Sequence, residues 1–169
     1  MKPIRLALVG AGIFMHDAHL PSLLKLSDAF EVVAVYSRSE ASARRLAQLA
    51  PGAPRIFTDY GALVADSTIE AVDIVLPIPV MAPYIAQALA AGKHVISEKP
   101  IAADTATAGA LIAQHEAQSH QVWMVGENWR YESAFVQAAT LIRSGVIGRP
   151  VACHCALYAP VLPTSKYYG

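Results

Sequence analysis

Residues 4–14 read IRLALVGAGIF. Ile4–Val9 is a near-continuous apolar run, the pattern of a strand covered on both faces. Gly10-Ala11-Gly12 follows at once, and a helical pattern, Met15–Leu26, follows the glycines. Glycine at 10 allows a tight turn. Glycine at 12 lets the backbone approach a pyrophosphate, and the next amides, on Ile13 and Phe14, sit at a helix N-terminus where they can donate to phosphate oxygens. Strand, glycine turn and helix together are the opening of a dinucleotide-binding βαβ unit. The third glycine of the full motif is replaced by Met15, which implies looser packing of helix on strand.

The pattern repeats outward from there. Strands are expected at Val32–Tyr36, Arg55–Phe57, Ala71–Leu76, Val95–Ser97 and Val122–Val125. Between them run Ala/Leu-rich segments with helix signals. Pro21 should kink or divide the first helix. Ser39 can cap the second, which runs to about Ala50, and Thr58 or Asp59 a short third ending near Ala65. The fourth is expected from about Met81, with Pro83 in its first turn, to a stop before Gly92. Asp104 can cap the fifth, which runs to about Ser119. Six strands alternating with helices specify an α/β fold, a doubly wound parallel Rossmann sheet, complete by about residue 125. Residues 126–169 differ: Ser133–Ser144 reads as a helix with Gly145 after it, and Val151–Tyr158 as a strand with alternating faces. One helix and one strand do not make a domain. They read as the start of a second α/β domain whose remainder is missing, with 1–125 as the dinucleotide-binding domain.

Composition agrees with a globular protein and narrows its partners. Of 169 residues, 54% are hydrophobic and 15% charged, enough apolar material for a sizeable core. Lys+Arg and Asp+Glu both number 13, so no basic excess points to nucleic acid or an anionic membrane. No apolar run approaches the roughly 18 residues of a membrane span, and the N-terminal apolar run carries Arg5 and leads into glycines rather than a cleavage site. The two cysteines, Cys153 and Cys155, would point to one face of a strand in poor disulfide geometry. A reduced, cytoplasmic protein is the expectation. Cys153-His154-Cys155 lacks a second ligand pair and is not read as a metal site. His16 and His19, flanking Asp17, are expected on the first helix near the cleft mouth, with His19 packing or capping there. Trp123, Trp129, Tyr131 and Phe135 are read as core and interdomain packing, not as a base-stacking platform.

Two further stretches carry chemistry. Tyr36-Ser37-Arg38-Ser39 ends the second strand, where a site for NAD usually places an acid on the ribose 2′-hydroxyl. An acid would repel a 2′-phosphate, whereas Ser37 and Arg38 can hydrogen-bond it, so NADP is favoured over NAD. The fifth strand ends in HVISEKPIA, residues 94–102, with Glu98, Lys99 and Pro100 where a buried strand would not hold charge. Ligands of open α/β sheets bind beyond the carboxyl ends of the strands, so these charges face the cleft.

GAG after the first strand, then AGKHVISEKPIA, GENWR and SGVIGRPV, together resemble the Gfo/Idh/MocA oxidoreductases, which include glucose–fructose oxidoreductases and inositol dehydrogenases. The resemblance covers essentially the whole chain. It implies a Rossmann domain followed by a C-terminal domain with an open, largely antiparallel sheet that carries substrate groups and often the oligomer interface. By the same resemblance Lys99 is the catalytic lysine near the nicotinamide and the reacting carbon–oxygen group, and Glu98 lies beside the cofactor. Asn128 reaches the nicotinamide side, and Leu76 and Pro77 contact the cofactor after the fourth strand. A histidine common in the family after that strand is Met81 here, so its polar contact is lost. The Asp and His that the family usually adds from its second domain fall outside this chain. The implied substrate is a sugar, cyclitol or related polyol, or the matching carbonyl, with a homo-oligomer formed through the complete C-terminal domain. A lysine in a partly dry cleft can polarise a carbonyl or exchange its proton. This chain then supplies mainly the cofactor-binding half, and is expected to bind NADP and turn over poorly or not at all. The competing reading is a non-catalytic, dinucleotide-sensing regulator on the same scaffold. A third is a truncated form whose residues 126–169 pack on a neighbour and cover the edge of strand Val151–Tyr158.

Overall fold

The apolar run at the start of the chain becomes the central strand of a parallel sheet in the computed structural model, which describes residues 2–118, 120–156 and 158. Strand β1 is Ile4–Val9. A π-helical turn, Met15–His19, leads into helix α1, Leu20–Leu24. There follow β2 (Phe30–Tyr36), α2 (Glu40–Ala47), β3 (Arg55–Phe57), α3 (Tyr60–Ala65), β4 (Ala71–Ile74), α4 (Ile78–Ala90), β5 (His94–Ser97), α5 (Thr105–Glu116) and β6 (Trp123–Val125). The six strands lie in the order β3-β2-β1-β4-β5-β6, every pair parallel. This is the doubly wound order, and the chain reverses its direction of travel between β1 and β4.

Alternation along β1 feeds two cores. Leu6 and Leu8 face one side of the sheet with Met15, Leu20, Val35 and Leu46. Ala7 and Val9 face the other with Leu63, Ile74, Ile85, Leu89 and Val95. Both faces are covered, which is why the central strands carry apolar residues at successive positions. Asp59 and Asp104 cap α3 and α5 by accepting from the amides of Ala62 and Thr107, and Ser39 caps α2 through Ser42. Pro21 divides the first helical segment, lying in the first turn of α1, where its missing N–H costs no bond.

Some expectations are corrected. Met15, at the position of the third glycine, is fully buried in the core beside β1. β4 ends at Ile74, which leaves Leu76 in the loop beyond it. α4 begins at Ile78 because Pro77 is its N-cap and Pro79 is suited to its first turn. Pro83 therefore lies inside that helix rather than in its first turn.

Contacts divide the chain into two compact units, Met1–Glu127 and Asn128–Gly169. The second holds a 3₁₀ turn, Asn128–Tyr131, and helix α6, Ser133–Arg143. The strand expected over Val151–Tyr158 does not form: residues 151–156 and 158 take no strand structure, and Leu157 and residues 159–169 lie outside those described. A strand needs a ladder partner, and among the described residues none is offered to this segment. Cys153 and Cys155 are exposed and free, and the shared strand face expected for them is absent.

Candidate functional site

Three loops leave the carboxyl ends of β1, β2 and β4 and enclose one groove of about 470 Å³. The floor is the glycine turn. Gly10 has φ +103°, and a methyl group added there would run into the Val75 carbonyl oxygen across the crossover point. Only glycine lets the β1 and β4 loops approach this closely. Gly12 is the opposite case: nothing lies within 4 Å of the space a side chain would take, so its surface stays open to the groove. Ile13 and Phe14 open the helical turn and are exposed, and first-turn amides have no intrahelical acceptor.

Ser37, Arg38 and Ser42 line the groove beside β2. Ser37 Oγ accepts from the Ser39 amide at 3.3 Å, which holds the β2–α2 corner closed. Arg38 is exposed, and its guanidinium forms no ion pair among the described residues. The nearest acid along the chain, Glu40, is taken by Arg44. The opposite wall comes from Leu76, Pro77, Pro79, Val80, Pro83 and Tyr84. Tyr36, Tyr60 and Tyr84 stack behind it. The Tyr36 and Tyr84 hydroxyls lie 3.1 Å apart, and Tyr60 donates to the Tyr84 carbonyl at 2.8 Å. Burial, followed by the bond to Tyr84, pushes the Tyr36 phenol up to about 12, so it remains neutral and the wall adds no charge.

Glu98 and Lys99 follow β5 on the same sheet edge. Lys99 is exposed, a correction to the partly dry cleft expected around it: it stands past the strand end, and no ion pair or hydrogen bond of its ammonium is formed among the described residues. The Lys99-Pro100 peptide is cis. Glu98 is less open and is held in place. Its Oε1 lies 3.1 Å from His19 Nε2, and Oε2 accepts from the Lys99 amide at 3.3 Å. The other His19 nitrogen, Nδ1, lies 2.8 Å from Oδ2 of Asp73, a β4 residue only 1% exposed. Burial disfavours charge on the His19 ring, but the hydrogen bonds and charges of Asp73 and then Glu98 outweigh it and raise the proton affinity above its ordinary value. Burial raises Asp73, and His19 opposes that rise.

Of the residues singled out from sequence, Gly10, Gly12, Ser37, Arg38, Leu76 and Pro77 line the groove itself. Ile13 and Phe14 flank it in sequence, Glu98 and Lys99 end the strand beyond β4, and Asn128 is an exposed residue of the second unit. Met81 is fully buried in the core, so position 81 offers no polar group to the groove. Trp123 packs partly buried on the core and donates to Ser97 at 2.9 Å; Trp129, Tyr131 and Phe135 are exposed, with the Trp129 and Phe135 rings edge to face at 5.8 Å. Sequence reasoning missed Ser42, the proline-tyrosine wall and Asp73. An aspartate in the middle of an apolar β4, AVDI, was the available signal for the last. Among the described residues no His/Cys/Asp/Glu group could hold a metal ion, and no helix is long and apolar enough to cross a membrane.

Comparison with known proteins gives a consistent set of similarities. The model of an oxidoreductase family of Gfo/Idh/MocA type, described as an NAD-binding Rossmann fold, matches residues 4–127. An inositol 2-dehydrogenase of Rhodococcus erythropolis is 31% identical over 96% of this chain and 46% of its own length. A crystal structure of an oxidoreductase from Thermotoga maritima superimposes with a TM-score of 0.80 at 40% identity, covering 89% of this chain and 46% of that one. A 3-ketoreductase from Actinomadura kijaniata, solved in complex with NADP and TDP-benzene, gives 0.74 at 29% identity, covering 85% and 43%. The chain spans about half the length of the curated relatives it matches.

Proposed function

Because the chain belongs to the Gfo/Idh/MocA oxidoreductase family, we propose that it is the cofactor-binding half of an enzyme that moves hydride between NADP and a sugar, cyclitol or related polyol or its carbonyl. The observation that carries this reading is the common sheet edge on which the Gly10–Gly12 turn, Ser37-Arg38 and Glu98-Lys99 all stand. The groove fits a dinucleotide. It has an open glycine surface for a pyrophosphate at Gly12, apolar walls for the rings, and a free guanidinium at the ribose end. Gly10, Gly12, Ile13 and Phe14 would hold the pyrophosphate, Leu76 and Pro77 the following ribose, and Glu98, Lys99 and Asn128 the nicotinamide side.

The bound nicotinamide supplies or accepts hydride. The work left to this chain is orientation and the proton. In the oxidative direction the Lys99 amine would take the substrate hydroxyl proton. In reduction the Lys99 ammonium would polarise the carbonyl oxygen and protonate it. Its exposure lets it exchange the proton with solvent. Substrate choice belongs to residues beyond this unit.

Ser37 and Arg38, with no acid beside them, support NADP over NAD, and the NADP complex of the similar ketoreductase is consistent with this. Fluorescence titration of the 169-residue chain with NADPH and NADH tests it. NADPH should bind about tenfold tighter or more, and Arg38→Ala should remove most of that difference. Equal affinity of the unaltered chain for the two cofactors would end the NADP assignment.

A further inference from the structure

Three polar or charged side chains are buried among the described residues: Asp73, Lys93 and Ser97. Lys93 donates to the Asp66 and Ile69 carbonyls at 2.7 Å each, and Ser97 accepts from Trp123. Those two are satisfied within the scaffold. Asp73 is different. Its ladder neighbours, Leu8 and Ile96, are apolar, and both its oxygens turn to a single partner, His19 Nδ1, at 2.8 and 3.1 Å. The imidazole then passes the connection on to Glu98.

We infer that His19 is a positioning residue for the reactive corner: held by Asp73 on one nitrogen, it grips Glu98 with the other and so fixes where Lys99 leaves the sheet. Four observations converge on this. Asp73 anchors the ring from a strand that cannot move independently of the sheet. The π-helical turn Met15–His19, a geometry frequent at functional sites, ends on the residue whose ring reaches inward. The Phe14 ring packs edge-on to the imidazole, with centroids 5.4 Å apart, and closes its outer side. Glu98 lies flat against position 126: a methyl group there would come within 2.6 Å of Oε1, so glycine leaves the room that this carboxylate occupies. With Oε1 held by His19, Oε2 is left facing the Lys99 amide.

An apolar pair at 19 and 73 would satisfy the core with no desolvation cost, so the chain Asp73–His19–Glu98 is not what packing alone would select. Acid oxygens face both ring nitrogens, and Asp73 and Glu98 together raise the proton affinity of the ring, the direction that favours an imidazolium. The charged groups that act on it are Asp73 from β4 and Glu98 from the end of β5. The proposal relies on the functional reading above only for the importance of Lys99; the linkage from Asp73 to Lys99 stands apart from it.

The test contains no dinucleotide, so its failure is separable from failure of the NADP reading. Long-range ¹H–¹⁵N correlation spectra of the labelled chain report ring protonation against pH. His19 should carry protons on both nitrogens at neutral pH, and Asp73→Asn should lower its midpoint by about one unit or more. In the second arm, lysines are reductively ¹³C-methylated. The Lys99 resonance, identified by its loss in Lys99→Arg, should move in both His19→Gln and Asp73→Asn, while those of Lys2 and Lys25 stay in place. A neutral His19 with an ordinary midpoint in the unaltered chain overturns the proposal, and needs no variant to fold. So does a Lys99 resonance that stays fixed in variants with an unchanged circular-dichroism spectrum.

Discussion

Gly10 and Gly12 are two residues apart and do different work. At position 10 the backbone conformation and the Val75 carbonyl both exclude a side chain. Gly10→Ala should therefore lower stability by more than about 2 kcal/mol, read from urea unfolding. At position 12 the space is open, so Gly12→Ala should stay within about 0.5 kcal/mol of the parent in the same assay. Its methyl group would instead intrude on a bound pyrophosphate, and NADPH affinity should fall about tenfold or more by fluorescence titration. If Gly12→Ala unfolds the protein instead, the turn is structural and the phosphate assignment loses its footing. The sequence gives both positions the same letter. Their separation comes from what lies opposite each, which is the β4 loop, some sixty-five residues away in the chain at Val75.

The π-helical turn and strand β4 are joined by one titratable link, and this has a sign. The folded-state proton affinity of His19 is raised, so its contribution is fully present below about 6.5 and is lost as pH rises through the folded value. Asp73, also raised, acts in the same direction from about 3.9 upward. Asp104 is lowered by its bonds to Thr107, first through the backbone amide, so its contribution is present above about 3.9 and lost on acidification. Stability should thus decline from mildly acidic pH into the alkaline range, and His19→Gln should flatten the part of that decline above about 6.5. Thermal melts at a series of pH values check it; a parent and a variant with parallel profiles would remove His19 from the account. Helix starts were legible because a cap is a local signal: Ser39, Asp59 and Asp104 cap three helices as their side-chain chemistry suggests. The start of α4 was misjudged because three prolines, Pro77, Pro79 and Pro83, offer competing first turns. The structure uses Pro77 as the cap and tolerates Pro83 inside.

All six strands and both apolar clusters lie within residues 1–127. A chain ended after Glu127 should consequently unfold in one cooperative transition, followed by circular dichroism in urea. Loss of cooperativity would mean that the sheet depends on the second unit. The doubly wound parallel sheet was legible because parallel strands buried on both faces leave an apolar signature of their own. Sequence pattern failed at Val151–Tyr158, where alternation alone suggested a strand to which the described residues offer no ladder. Alternation describes a surface a strand would suit, not the neighbour it requires.

What the sequence determined by itself is the doubly wound sheet, the glycine turn after β1, the basic end of β2 and the charged end of β5. Each rests on local pattern: burial on both faces, a turn needing glycine, and charge placed where a strand stops. Only the tertiary structure decided that Asp73, His19 and Glu98 form one hydrogen-bonded chain, that Lys99 stands exposed beyond it, and that prolines and tyrosines wall the groove. The reason is separation along the chain. His19, Asp73 and Glu98 are dozens of residues apart, and they meet because β1, β4 and β5 lie side by side with their carboxyl ends on one edge.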